Sequence, residues 1–387
     1  MLLALAGCGG VTDPSAGTSS RSSGGAPAGP PSTTAAPSAS PPAAAAAQQV
    51  DAVLAGLSRR QQVAQLFVVG VSLTDLGAGE ALVDDGVGGV FLSGRSQISS
   101  ADLAGVTGRW ADRARGPRPW VSTDQEGGQV QTLSGPGFAE LPAAVEQGAL
   151  PGDALRRLAD ELGAALAGAG VTLDLAPVAD VVPAGTESAN APIGAYGRQF
   201  GSTAAVVVPA AGALLDGLAA HGVVPTVKHF PGLGRVQDNT DDGPVTDTAT
   251  TAADEQVAAF GALAGSAAGP FVMPSSATYA LIDPAAPAAF SSVVLTDLLR
   301  GQLGFRGVII SDDLGAAQAV RSLSPGERAV RFLAAGGTLV LTVTPTVFPA
   351  MLEAVLARDA ADPAFAAQVD AAVRVALLAK AQHGLLG

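Results

Sequence analysis

The apolar positions of this chain fall into short, nearly uninterrupted runs, separated by longer stretches in which apolar residues recur at helical spacing. Eight runs stand out, near residues 66–72, 87–92, 118–123, 171–175, 223–228, 270–274, 308–311 and 338–343. Val308-Ile309-Ile310, Thr338-Leu339-Val340-Leu341 and Pro270-Phe271-Val272-Met273 show no alternation of apolar and polar positions, as expected of strands buried on both faces. Between the runs the pattern predicts helices over 153–169, 203–220, 251–263, 292–303 and 325–335, and a closing helix over 363–385. Alternation of strand and helix implies parallel strands joined by crossovers. Eight repeats imply an α/β fold closed into a (β/α)8 TIM barrel, with no room for a second domain.

The folded pattern starts near Gln48, with an amphipathic segment through Leu57 and a second one capped by Ser58 over 59–66. Ahead of it, from Val11 to Ala47, only Val11, Asp13 and Arg21 fall outside Ser, Pro, Ala, Gly and Thr. Such a segment has too little bulky apolar surface to offset its ordering entropy, so residues 9–47 read as a disordered tether and 48–387 as the barrel domain. Residues 1–8 read MLLALAGC, and Leu5-Ala6-Gly7-Cys8 resembles a bacterial lipobox, in which the Cys is lipidated and becomes the mature N-terminus. The basic n-region of a secretory peptide is missing, and the plainer alternative is an incidental apolar start. The expectation is an extracytoplasmic protein held to the membrane through a lipid on Cys8. No other stretch approaches the ~18 apolar residues of a membrane span.

Composition narrows the partners. The chain has 387 residues, 48% hydrophobic and 14% charged, enough for a large core. A formal charge of −13 with 21 Lys+Arg and no basic run excludes nucleic acid or an anionic membrane surface as the main partner, because nothing neutralises phosphates. An uncharged or amino-sugar ligand fits. Cys8 is the single cysteine, so no internal disulfide forms. His229 has no second ligand at a recognisable spacing, so neither a metal nor a cofactor is expected. The chain is read as a monomer.

In a barrel, chemistry collects at the carboxyl ends of the strands. Asp124-Gln125-Glu126-Gly127-Gly128 follows the third run, Asp174 and Asp180 close or follow the fourth, and Lys228-His229 end the fifth. Ser275-Ser276 follow the sixth run and Ser311-Asp312-Asp313 the seventh. Each also has a structural reading. Asp312-Asp313 could cap a helix, Glu126-Gly127-Gly128 could be a tight turn, and Asp174 reads as a buried structural carboxylate. Consecutive residues point oppositely from a strand, so a ligand role for both Lys228 and His229 requires the strand to end there.

Residues 60–386 resemble the single-barrel members of glycoside hydrolase family 3, of the bacterial β-N-acetylhexosaminidase type. The resemblance rests on DQEGGQVQTL from Asp124, GVTLDLAPVADV from Gly170, Ile193-Gly194 with Gly197-Arg198-Gln199-Phe200-Gly201, KHFPG from Lys228, and LRGQLGFRGVIISDDL from Leu299. It implies a retaining glycosidase in which Asp312 attacks the anomeric carbon, while Asp124, Arg198, Lys228 and His229 hold the sugar hydroxyls. Such an enzyme needs a carboxylate nucleophile and a separate proton donor ~5 Å away.

Three departures stand against that pattern. The family's KHFPGHG reads KHFPGLG, with Leu233 in the His position, and Ser276 replaces a His after the sixth run. The family's acid/base triplet Asp-Ser-His is replaced by Asn239-Thr240-Asp241, and the chain's only histidines are His221, His229 and His383. Asp241, at the position of the missing His, is the candidate acid/base, with Asp238 and Asp242 beside it. A carboxylic acid there needs a raised pKa, from burial or from a neighbour such as Asp242 or Asp312. Gln129 and Thr132 stand where the family has Arg within DQEGG, which weakens contacts to an acidic or N-acyl group.

The function expected is a lipid-anchored exo-β-N-acetylhexosaminidase acting on N-acetylglucosamine-containing wall glycan. The alternatives are a saccharide-binding lipoprotein on an impaired barrel, or catalysis on a β-glucoside or β-xyloside.

Overall fold

A computed structural model describes residues 41–387, so the Cys8 segment and the tether up to residue 40 lie outside the described residues. The chain is already helical from Pro41 to Gly56, which moves the expected boundary at Gln48 back by several residues. The expectation of a tether through residue 47 therefore fails over 41–47. The same small side chains that make a poor core, Ala43 to Ala47, are the strongest helix formers, and proline is tolerated in a first helical turn. Val50 of this helix is fully buried, and Asp51 pairs with Arg374 of the closing helix at 2.8 Å. Ser58 forms the expected N-cap, in a capping box with Gln61, for the helix Arg59–Ala64.

Seven strands build one parallel sheet: β1 (Phe67–Ser72), β2 (Gly89–Ser93), β3 (Trp120–Thr123), β4 (Leu173–Asp174), β5 (Val224–Phe230), β6 (Phe271–Pro274) and β7 (Val340–Thr342). Their spatial order is β7-β1-β2-β3-β4-β5-β6, and every pairing is parallel. The remaining apolar run, 308–311, joins the two edges through parallel bridges, Val272 to Ile309 on one side and Ile310 to Leu339 on the other. All eight runs read from the hydrophobic pattern are thus paired, each with its neighbour in sequence and the last with the first.

The crossovers are helical where the pattern places them, at Gly152–Gly168, Ala204–Ala220 and Pro325–Ala334, and the chain closes with Pro363–Gln382. Two segments differ from expectation. The helix expected over 251–263 begins at Glu255, because Asp254 is its N-cap, while Asp247 binds the amides of Ala249 and Thr250 at 2.7 Å and holds the preceding turn. The stretch 292–303 is a π-helix, Val293–Gln302, whose wider winding lets Leu303 N donate to Leu298 O at 2.9 Å. At Gly70 the end of β7 passes so close that a Cβ would lie 2.2 Å from the Val343 carbonyl oxygen. That contact brings Val343 to the mouth of the sheet.

The closing helix carries a charge into the core. Lys380 is fully buried, donates to Gln65 Oε1 at 2.7 Å, and pairs with no carboxylate among the described residues. Burial pushes its ammonium down to about 7. The folded pKa lies below the unfolded value of ~10.4, so the folded chain binds fewer protons between those limits and stability rises with pH across that window. Denaturant unfolding followed from pH 6 to 10 is expected to show this slope, at most ~1.4 kcal/mol per pH unit. Lys380→Met is expected to remove the slope and to be more stable than wild type below pH 7; a slope surviving that substitution would place its origin elsewhere.

Candidate active site

The carboxyl ends of the strands surround a cavity of about 310 Å³. All six residues selected from the sequence line it: Asp124, Arg198, Lys228, His229, Asp241 and Asp312. Phe91, Leu175, Met273, Leu341 and Val343 supply apolar wall, and Leu233, in place of the family's His, lies buried in the same wall.

Four charges cluster here, and three of them, Asp124, Arg198 and Lys228, line the cavity. Lys228, delivered by β5 and 3% exposed, places Nζ 2.7 Å from Asp124 Oδ1 and 2.6 Å from Glu126 Oε1. Arg198 grips Glu126 with two parallel bonds, Nε to Oε2 at 2.9 Å and Nη2 to Oε1 at 2.8 Å. Glu126 reaches this point because the hairpin Gln125–Gly127 to Val130–Gln131 turns through Gly127 at φ 103° and Gly128 at φ 55°, and a Cβ on Gly127 would lie 2.4 Å from the Pro142 oxygen. Arg198 is placed by a loop that Asn190 ties down: its Oδ1 accepts from Gly194 N at 2.7 Å, and its Nδ2 donates to Leu233 O and Val236 O at 2.8 and 2.7 Å. Burial alone would raise the Glu126 carboxyl, but Arg198 and Lys228 hold it down at about 2. Burial likewise opposes the charge on Lys228, and Asp124 with Glu126 overcomes it and raises that pKa. The cluster is thus a balanced set of two cationic and two anionic side chains.

His229 also faces the cavity, although β5 does not end at Lys228 as a shared ligand role was expected to require. The strand continues to Phe230, and the register with β6 shifts between Lys228 and Phe230, a bulge that re-aims the side chain. The Lys228–His229 peptide is cis. His229 Nδ1 lies 2.7 Å from Asp180 Oδ2, while Asp180 Oδ1 accepts the Leu233 amide at 2.7 Å. A carboxylate on Nδ1 fixes the ring and leaves Nε2 to the cavity.

Asp312 and Asp313 do not cap a helix. Asp313 accepts amides from Gly315, Ala316 and Val343 at 2.8, 2.9 and 2.9 Å, which fastens the turn after residue 311 to the end of β7. Asp312 accepts only its neighbour's amide, Asp313 N, at 2.8 Å, and has no side-chain partner among the described residues. Asp241 sits at the exposed surface of its loop yet lines the cavity. Its carboxyl is pushed up, first by desolvation and then by the charge of Asp312, against the opposing pull of His229 and Arg198. Asp174 is the structural carboxylate expected: it is fully buried, accepts the Gln125 amide at 3.0 Å, and burial pushes it up to about 8.

Ser275 and Ser276 do not reach the cavity lining. Ser275 bonds Tyr279 Oη at 2.9 Å, and the Ser276 hydroxyl is buried without a partner. Gln129 is exposed, with its carbonyl taken by Arg95, and Thr132 is buried with its amide donating to Asp124 O at 3.1 Å. The residues that the sequence undervalued are Glu126, read as part of a turn, and Asp180, noted without a role. An acidic side chain flanked by Gly-Gly carried a signal for Glu126. Nothing local links Asp180 to His229, which is 49 residues away.

The cluster yields a stability prediction. Glu126→Gln removes one of two anions facing two buried cations, and such an uncompensated charge costs ~3–5 kcal/mol. Because the Glu126 pKa is depressed, its contribution is complete above the unfolded value of ~4.3 and is lost only as pH falls through about 2. Denaturant unfolding at pH 7 is expected to show a loss of that size; a loss below ~1 kcal/mol would mean the cluster does not hold the site together.

Residues 58–377 match the Glycosyl hydrolase family 3 N terminal domain. A Beta-hexosaminidase of Stenotrophomonas maltophilia (strain R551-3) is 35% identical over 312 residues, 76% of this chain and 88% of that relative. A Beta-hexosaminidase of Xylella fastidiosa (strain M23) is 36% identical over 307 residues with the same coverage. The crystal structure of a Beta-N-acetylhexosaminidase from Beutenbergia cavernae DSM 12333 is similar at TM-score 0.77 and 47% identity, covering 84% of this chain and 98% of that one. M tuberculosis LpqI is similar at TM-score 0.74 and 30% identity, covering 88% and 96%. The chain belongs to glycosyl hydrolase family 3 and is a glycoside hydrolase.

Proposed function

We propose that this chain is a retaining exo-β-N-acetylhexosaminidase that removes terminal N-acetylglucosamine from cell-wall-type glycans, working on a single (β/α)8 barrel. The bridges of the 308–311 run to both sheet edges support closure of the barrel, and relatives named for this activity cover most of the chain. The observation that carries the mechanism is the pair Asp312 and Asp241 in one cavity, one carboxylate without a side-chain partner and the other pushed toward its protonated form.

In the first step Asp312 bonds to the anomeric carbon while Asp241 gives its proton to the departing oxygen. In the second, Asp241 takes a proton from water, which displaces Asp312 from the sugar. Asp124, Lys228, Arg198 and His229 hold the ring hydroxyls. Their cations are matched by Asp124 and Glu126, so the field on the anomeric centre comes from the Asp312 carboxylate and favours the positive charge that develops there. The lost family histidines favour a second reading, a saccharide-binding protein without turnover, and the neutral replacements Gln129 and Thr132 keep β-glucosides and β-xylosides in the assay. Release of N-acetylglucosamine from aryl β-N-acetylglucosaminides by purified residues 41–387 supports the first reading. Tight binding without release by the wild type supports the second.

Asp241→Asn is expected to lower kcat/KM, which reports the first step alone, by ~10²–10⁴ for substrates with poor leaving groups and far less for activated aryl substrates, because only the former need the proton in that step. Equal loss on both series would reduce Asp241 to a loop residue. The raised pKa of Asp241 sets the alkaline limb of kcat/KM on substrates with poor leaving groups, since the acid is lost as pH rises through it, and that limb is expected to disappear in the variant. A lipid on Cys8 would hold the enzyme to the outer face of the membrane. Full-length protein expressed in a bacterium is expected in the membrane fraction, and Cys8→Ala in the soluble fraction; wild type recovered as soluble protein would contradict the anchor.

A further inference from the structure

We propose that Arg328 is a positioning residue that sets the separation of Asp312 and Asp241, by fixing the single loop on which both depend. The proposal rests on the glycosidase reading above. Arg328 belongs to the helix Pro325–Ala334, is 6% exposed, and forms no ion pair within 4 Å among the described residues. Its guanidinium points into the turn that follows the nucleophile. Nη1 donates to Leu314 O at 2.8 Å and to Gly315 O at 2.9 Å, and Nε donates to Leu323 O at 2.9 Å. A buried cation spent on three carbonyls is unusual, because burial opposes its charge and only the planar fork of arginine serves several acceptors in fixed directions.

Asp313 completes the clamp from the other side. It takes the amides of Gly315, Ala316 and Val343, so the loop's carbonyls are bound by a cation and its amides by an anion. Between the anchored residues Gly315 and Leu323 lies the short turn Gln318–Val320, and Ala319 N donates to Thr240 O at 3.1 Å. Thr240 is buried, and Asp241 is the next residue. The loop that starts at the nucleophile therefore also seats the acid/base residue. Releasing Arg328 frees three carbonyls in the interior and lets the seat of Asp241 shift relative to Asp312.

Two readouts separate positioning from simple folding. The first is covalent inactivation by a 5-fluoro-N-acetylglucosaminyl fluoride, whose fluoride departs with little need for a proton, so the rate reports the placement of Asp312. The second is the alkaline limb of kcat/KM on an N-acetylglucosaminide with a poor leaving group. Asp241 is faced by Asp312 and Asp313, which raise its pKa, and by His229 and Arg198, which lower it, so an Asp312 that recedes moves the limb to lower pH. Wild type, Arg328→Lys and Arg328→Met are compared, with thermal unfolding recorded for each.

The expected result is an inactivation rate constant reduced ~10- to 100-fold in Arg328→Met at unchanged inhibitor affinity, with the alkaline limb moved to lower pH. Arg328→Lys, which keeps the charge but not the fork, is expected to fall between Arg328→Met and wild type on both readouts. Should Arg328→Met fail to fold, Arg328→Lys carries the test. Wild-type rate and an unmoved limb in the folded variants would overturn the proposal, as would a loss of inhibitor affinity equal to the loss of rate. A wild-type enzyme that is not labelled on Asp312 would overturn the glycosidase reading and this inference with it; labelled wild type with unaffected variants would overturn this inference alone.

Discussion

The site depends on a buried set of four charges. Lys228 lies within 2.7 Å of both Asp124 and Glu126, and Glu126 is gripped by both arms of Arg198. Removing any one leaves an unmatched charge in the interior, so the set holds together as a unit. Its members come from β5, from the end of β3, from the hairpin that follows β3, and from the loop after the Gly194–Tyr196 turn. The cluster thus fastens these four parts of the strand-end surface to one another. The balance of the set also matters. With its own charges matched, the cluster offers directional hydrogen bonds, and the unpaired negative charge of the cavity stays with Asp312.

The second constraint is the coupling of Asp312 and Asp241, the two carboxylates proposed to do the chemistry. Asp312 sits where the 308–311 run meets β7, tied down by Asp313 and Val343, and Asp241 rides on a loop whose buried residue Thr240 is held by Ala319. A carboxylate as the proposed acid/base makes this coupling stricter than a histidine would. A histidine acid needs no help to hold a proton near neutral pH, whereas an aspartic acid needs desolvation and a nearby negative charge, and Asp241 receives both.

How far the sequence foresaw this follows from the range of each interaction. The eight apolar runs were legible because burial on both faces is written into each run alone, and their parallel pairing followed from the alternation with helices. Asp124, Lys228, His229 and Asp312 were legible because strand ends concentrate polar chemistry, whereas Arg198 and Asp241 were legible only through the family resemblance. Asp180 as the partner of His229 was not, since no local rule joins them. Lys228 and His229 both face the cavity as expected, but not because the strand ends at Lys228: a bulge turns the chain instead, and it depends on the register with β6, which the sequence of β5 does not carry. The start of the first helix was misjudged because a run of alanine serves equally for a tether and for a helix, and packing against the closing helix decides between them.

The central claim is that Asp312 and Asp241 act as nucleophile and acid/base across one glycosidic bond. The most direct test is their carboxyl separation in a crystal structure with an N-acetylglucosamine-derived ligand bound. Retaining chemistry predicts ~5–5.5 Å, with Asp312 beneath the anomeric carbon and Asp241 beside the glycosidic oxygen. A separation of ~6.5–9.5 Å with water between Asp312 and the sugar, or an Asp241 turned away from the ligand, would contradict it.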